Sequence, residues 1–130
     1  MLKWCGDRSS RAAFAIFAEH GLHPREYGLL NVLAASPGKA QLDLAEIVGI
    51  DSSTMVAVID DLEAKGFAER RVDGVDRRRR TVHITKKGEA KLKELGPVVR
   101  EHAEAQFGAL SEDERAELLR LLRKIAGFDD

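Results

Sequence analysis

The 130 residues carry a formal net charge of −1 and are 44% hydrophobic, 33% charged and only 5% aromatic. That balance excludes an intrinsically disordered chain and points to one modest globular domain, mostly helical because Leu and Ala dominate. No apolar run reaches the roughly 18 residues of a membrane span, and "MLKWCGDRSS" lacks the apolar core of a signal peptide. The lone Cys5 cannot make an internal disulfide, so a reducing cytoplasm is the expected compartment.

Along the chain, the first helical segment is "SSRAAFAIFAEHG". Ser9 or Ser10 can N-cap it, Gly21 can end it, and Ala13, Phe14, Ile16 and Phe17 give an apolar stripe. In "HPREYGLLNVLAASPG", Pro24 suits a first helical turn, Tyr27, Leu30, Leu33 and Ala34 recur at helical spacing, and Ser36-Pro37-Gly38 makes a closing turn. In "AQLDLAEIVGIDSSTMVAVIDDLEAKGF", Leu44, Ala45, Ile47 and Val48 make a short amphipathic helix. Gly49 permits a tight turn, Ile50 plugs the corner, and Asp51 or Ser52 caps a second helix whose Met55, Val58, Ile59 and Leu62 share one face. A short helix, a glycine turn and a capped second helix form a helix-turn-helix signal.

After Gly66 the period changes. "FAERRV" and "RTVHIT" read as the strands of a β-hairpin, turned at Asp73-Gly74, with a basic tip from Arg77 to Arg80. Thr85 can cap "KKGEAKLKELGPVVREHAEAQFGAL", in which Pro97 should kink or divide the helix. Ser111 and Glu114 form a capping box for "SEDERAELLRLLRKIAGF", whose acidic start and basic end suit the helix dipole. The expected fold is mainly α with a small β-hairpin wing. It is a single domain in which residues 22–88 form a winged helix-turn-helix lobe flanked by helices in 1–21 and 89–130. A monomer this small has little core to cover those flanks. Ala13, Ile16, Leu118, Leu121, Leu122 and Ile125 are therefore expected at a homodimer interface.

The stretch 21–88 resembles the MarR-type (multiple antibiotic resistance) transcriptional regulators. The resemblance is carried by "GLHPREYGLL", "LAEIVGIDSSTMVAVIDDLEAKGFAERR", "DRRRRTVHIT" and "TKKG". It implies a homodimer built by the terminal helices, a recognition helix in the major groove and a wing in the minor groove. In many members it also implies release from DNA on binding a small, often aromatic molecule. Carried over by position, Ser52, Ser53, Thr54, Val56 and Ala57 lie on the groove-facing part of the recognition helix. Gln41 starts the supporting helix near a phosphate, and Asp76 and Arg78 are the wing's Asp-x-Arg. Two features depart from the family. Many relatives are basic where this chain has Ala57 and Asp61, and here Asp51, Asp60, Asp61 and Glu63 face Lys65 alone. Only residues 1–20 precede "GLHP", so the first helix should be short.

Small hydroxyls at a helix N-terminus suit phosphates and base edges, because free N–H groups and the dipole favour an anion. Val56 or Ala57 can touch a thymine methyl, and Asp60 can accept from cytosine N4 or hold a wing arginine. A guanidinium is planar and weakly hydrated, and the minor groove over A·T pairs is narrow and electronegative. Arg78 is therefore expected in the groove, aimed by Asp76, with Arg77 or Arg80 on phosphates. The plain alternatives are a solvated helix face and a solvated basic loop. Phe14, Phe17, Tyr27, Leu30 and Trp4 are first of all core candidates. By family analogy Phe14, Phe17, His20, His23, Tyr27 and Leu30 line a pocket for a small aromatic effector. His20 and His23 lie three apart with no third ligand placed, so no metal and no cofactor are expected. No phosphate loop, nucleophile elbow or zinc motif suggests an enzyme. The expected function is a sequence-specific double-stranded-DNA-binding regulator, most simply a repressor, acting on an inverted-repeat operator. The alternative, favoured by the acidic recognition helix, is a winged-helix protein-interaction module without DNA binding.

Overall fold

The computed structural model describes residues 1–127. Their order is α1 (Leu2–Glu19), α2 (Pro24–Ala35), β1 (Lys39–Ala40), α3 (Gln41–Val48), α4 (Ser52–Ala64), β2 (Ala68–Val72), β3 (Arg80–Ile84), α5 (Lys86–Phe107) and α6 (Glu112–Ile125). The chain forms two compact units, Met1–Gly96 and the residues from Pro97 on, with the division inside α5. No helix among the described residues is long and apolar enough to cross a membrane.

The first unit is built around the helix-turn-helix. Gly49 takes the left-handed conformation (φ 76°) that ends α3 and turns the chain towards α4, a geometry that costs glycine nothing. Met55, Ile59 and Leu62 of α4 are fully buried beside Leu44 of α3 and Leu29, Leu30 and Leu33 of α2. Val58 is buried on the same face. Ile47 is exposed, against expectation, because eight helical residues leave room for one inward stripe, which Leu44 and Ala45 occupy. In α2 the inward position goes to Leu29 rather than to the exposed Ala34.

β2 and β3 pair antiparallel, Arg70 opposite Val82, as the hairpin reading required. A third strand was not legible: β1 pairs with β3 through Lys39↔Val82 and Ala40↔Thr81, giving the order β1-β3-β2. Two residues carry no alternation to read. The Thr85 hydroxyl donates to the Gly66 carbonyl (2.6 Å) and accepts from the Gly88 N–H (3.1 Å), joining the end of the hairpin to the start of α5. At Gly88 a Cβ would lie 2.2 Å from the Phe67 carbonyl oxygen, so only glycine permits this approach.

α1 starts at Leu2, not at Ser9 or Ser10, and is longer than the sequence suggested. Neither serine is needed as a cap, because the preceding residues propagate the helix. Trp4 and Phe14 are exposed rather than core; Arg8 lies 5.4 Å over the Trp4 ring. α5 runs through Pro97 undivided, the missing N–H leaving one turn of the helix a bond short.

In the second unit Ser111 and Glu114 form the expected capping box. Arg115 donates to the carbonyls of Phe107 and Leu110 and pairs with Glu104 at 3.1 Å. None of the described residues of α6 is buried.

Candidate nucleic-acid interface

Placing Met55, Val58, Ile59 and Leu62 inside leaves Ser52, Ser53, Val56, Ala57 and Asp60 on the exposed side of α4. Asp51 caps the helix. Its carboxylate accepts from the Thr54 N–H (2.8 Å), the Ser53 hydroxyl (2.5 Å) and the Thr54 hydroxyl (2.7 Å). Those bonds, Ser53's first, hold the Asp51 carboxyl far below the usual carboxylate range. Of the two residues expected to cap this helix, Asp51 does so, and the small hydroxyls expected to suit phosphates and base edges stand beside its carboxylate. A fixed carboxylate already faces the positive end of the dipole. The Ser53 and Thr54 protons point at Asp51, and their oxygens keep lone pairs, which suit amino groups on base edges better than phosphates.

The wing tip is shaped by two aspartates acting on backbone. The Asp73 carboxylate accepts from the Val75 N–H (2.9 Å), and the Asp76 carboxylate accepts from the Arg78 N–H (3.0 Å). Asp76 is expected to fix an arginine's direction by pairing with Arg78 or a neighbour; its bond is to the Arg78 backbone, and it shapes the turn beneath that side chain. The four arginines diverge. Arg79 pairs with Asp43 of α3 at 2.7 Å, and Arg80 donates to the Arg77 carbonyl at 3.0 Å. The Arg77 and Arg78 guanidinium groups form no ion pair among the described residues, and both residues are exposed. A groove of about 450 Å³ opens between Ala40–Asp43 and Asp76, Arg78, Arg79 and Arg80, with Gln41 lining it. Positive side chains, a shaped turn and a helix face lacking long side chains at Ser53 and Ala57 together suit a polyanion with readable edges.

The aromatic residues predicted as a pocket form ring pairs. Phe14 meets His23 edge-on with centroids 4.6 Å apart, and Phe17 lies 4.8 Å from Tyr27. Phe17 and Leu30 are buried, Tyr27 is half-buried, and Nδ1 of His20 is 3.9 Å from Glu94. His23 is the N-cap of α2, its Nδ1 accepting from the Arg25 N–H at 3.0 Å. Ala13 and Ile16 are half-buried. Leu121, Leu122 and Ile125 are exposed and Leu118 is partly so, beside a hollow of about 180 Å³ lined by Phe107, Arg115, Leu118, Leu119 and Leu122.

Residues 20–79 match the family model described as the MarR family. Over 123 residues the chain is 35% identical to a protein of Thauera aromatica named as a transcriptional regulatory protein for the hcr operon, covering 91% of this chain and 74% of that one. The chain belongs to the MarR family of transcriptional regulators. Among solved structures, the transcriptional repressor CouR bound to a 23-mer DNA duplex is 32% identical with a TM-score of 0.90, covering 96% of this chain and 89% of its own. Bordetella bronchiseptica BpsR, whose DNA binding is regulated by 6-hydroxynicotinic acid, is 26% identical with a TM-score of 0.88 over 96% and 89% of the two chains.

Within this MarR-family frame, three polar links escaped sequence reading. Glu26, only 4% exposed, accepts from Lys65 at 2.7 and 2.8 Å and from the His23 N–H at 3.0 Å, tying α2 to the end of α4. Asp43 holds Arg79. Arg70 of β2 reaches Gln41, Asp60, Glu63 and the Val56 carbonyl. Of the two expectations for Asp60, a base or a wing arginine, the structure has the second: it pairs with Arg70 on the wing strand β2. Each link joins residues far apart in sequence or across a turn, among many similar charges, and no local pattern singles them out. His83, opposite Glu69, is held below its usual value by burial first and by the Arg71 charge second.

Proposed function

We propose that this MarR-family regulator binds double-stranded DNA as a homodimer on an inverted repeat and represses transcription until a small aromatic acid releases it. Residues 1–130 act as one domain, 22–88 as the DNA-binding lobe and 1–21 and 89–130 as dimerisation helices. It works in the cytoplasm by binding alone, with no cofactor and no catalytic step. The observation that carries the reading is the pairing of an exposed α4 face (Ser52, Ser53, Val56, Ala57) with a wing whose Arg77 and Arg78 form no ion pair among the described residues. Thr54 is half-buried at the same helix start. Gln41 and Arg80 flank this face for phosphate contacts, while Asp76 sets the turn. The duplex bound by CouR and the regulation of BpsR by 6-hydroxynicotinic acid support the two partners. Phe14, Phe17, His20, His23, Tyr27 and Leu30 are the proposed effector wall, and Ala13, Ile16, Leu118, Leu121, Leu122 and Ile125 the dimer contacts.

Selection from a random duplex pool tests the first part. The expected product is an inverted repeat with half-sites about one helical turn, roughly 10 bp, apart, bound by a species that sediments as a dimer. A monomer that enriches no sequence would refute the reading. A panel of benzoic and nicotinic acid derivatives tests the second, the expected hit raising both Tm and the Kd for the selected duplex.

A further inference from the structure

The recognition helix poses a problem that the DNA reading alone leaves open. Asp60 and Glu63 stand on α4, within a turn or two of the residues assigned to bases, and two carboxylates there repel phosphates. Arg70 on β2 meets both. Its Nη1 pairs with Asp60 at 2.7 Å and with Glu63, and its backbone N–H donates to the other Glu63 oxygen at 3.2 Å. The same guanidinium has a second task. Its Nε donates to the Gln41 side-chain oxygen at 2.9 Å, and Nη2 reaches the Val56 carbonyl at 3.4 Å. One planar group carried by β2 thus touches both α3 and α4, with its side chain only 20% exposed. A lysine has one donor centre and cannot span these acceptors.

We propose that Arg70 is a positioning residue for operator recognition. Its single positive charge offsets one of the two negative charges of Asp60 and Glu63, so that an acidic helix repels DNA less, and it turns Gln41 so that the amide NH₂ faces the backbone of the duplex. The bond at the Gln41 oxygen fixes that orientation, since the oxygen is the end that accepts from Arg70. The two tasks separate chemically. Charge neutralisation acts through space, favours every sequence alike and is screened by salt over a Debye length of ~10 Å at 0.1 M. Orientation of Gln41 acts through geometry and is indifferent to salt. This inference rests on the DNA-binding reading above.

The probe is the duplex that the wild-type protein enriches from a random pool, compared with a scrambled duplex at several salt concentrations. Wild-type failure to bind either duplex would overturn the DNA reading itself, and this inference with it. Arg70→Met is expected to lose roughly tenfold or more on both duplexes at low salt; on the scrambled duplex the gap closes as salt rises, while the lost preference for the selected one persists. Adding Asp60→Asn and Glu63→Gln should restore binding to the scrambled duplex but not the preference for the selected one. Should Arg70→Met fail to fold, Arg70→Lys decides alone: it keeps the charge, so scrambled binding stays, while preference for the selected duplex falls severalfold. An Arg70→Lys protein with full preference would overturn the orienting role. A loss in Arg70→Met that ignores salt and is not rescued by the two neutral substitutions would overturn the masking role.

Discussion

The winged-helix unit and the unit after Pro97 solve the same problem in opposite ways. In the first, leucines of α2, α3 and α4 reach complete burial against one another, and the charges on that face find partners such as Glu26 with Lys65. In the second, α6 is at least as cleanly amphipathic, with a capping box, an acidic first turn and basic residues in its last. Yet Leu119 and Ile125 are 60% and 71% exposed. A helix can therefore be locally complete, with every terminal rule obeyed, and still lack the packing that normally supplies most of its stability. The first unit holds its own core; the second presents half of one.

The largest test of that contrast is Leu121→Asp with Leu122→Asp. If a second copy covers α6, burial of two leucines worth about 3–6 kcal/mol in total is forfeited. Sedimentation should show monomers where the wild type is dimeric, and DNA affinity should collapse with them. A variant that remains dimeric would show that α6 is not the seam. Ile59→Ala probes the other unit and should cost about 2–5 kcal/mol of unfolding free energy, as an emptied core site does. Its Tm deficit should be the same at every protein concentration, whereas for the α6 variant it should shrink with dilution, because only the dimeric wild type loses stability as it is diluted.

Smaller effects sharpen the comparison inside the first unit. Because the Asp76 carboxylate holds a backbone N–H, Asp76→Asn keeps an acceptor and removes a charge. It should tighten binding to selected and scrambled duplexes alike by a few-fold, while Asp76→Ala loosens the turn and costs preference for the selected sequence. Equal behaviour of the two variants would leave the wing as a simple basic loop. Arg78→Ala should cost roughly 1–3 kcal/mol and flatten any preference for A·T pairs at the flanks. The mildest effect concerns His83. Its folded value lies below 6.5, so the unfolded chain binds more protons than the folded one between the two values. This contribution to stability is complete above pH 6.5 and is lost as pH falls from there towards the folded value. His83→Gln should flatten that segment of the denaturation-versus-pH curve; an unchanged slope would assign it to other groups.

Much of this was legible in the sequence because the signals are periodic or chemical. The stripe of Met55, Val58, Ile59 and Leu62, the glycine at 49, the Asp51 cap and the Ser111–Glu114 box each follow from a local rule. What stayed hidden was non-local or too short. β1 is two residues long, and α1 began earlier than its serines suggested because nothing in "LKWCGDR" stops a helix. In the candidate interface, exposed α4 positions were readable from the helical angle. The partners of the charged residues were not, because one acid or arginine looks like another until the fold brings them together. Arg70, two strand positions before Val72, is indistinguishable in "ERRV" from Arg71, which pairs with Glu69 two positions before it.

The buried carboxylate of Glu26 has a mechanical meaning. Bonded to Lys65 at the far end of α4 and to the backbone at the start of α2, it ties the two helices to each other. α2 also carries Tyr27 and the His23 cap that touch α1. A molecule wedged between those rings would press on α2 and, through Glu26 and Lys65, on the end of α4.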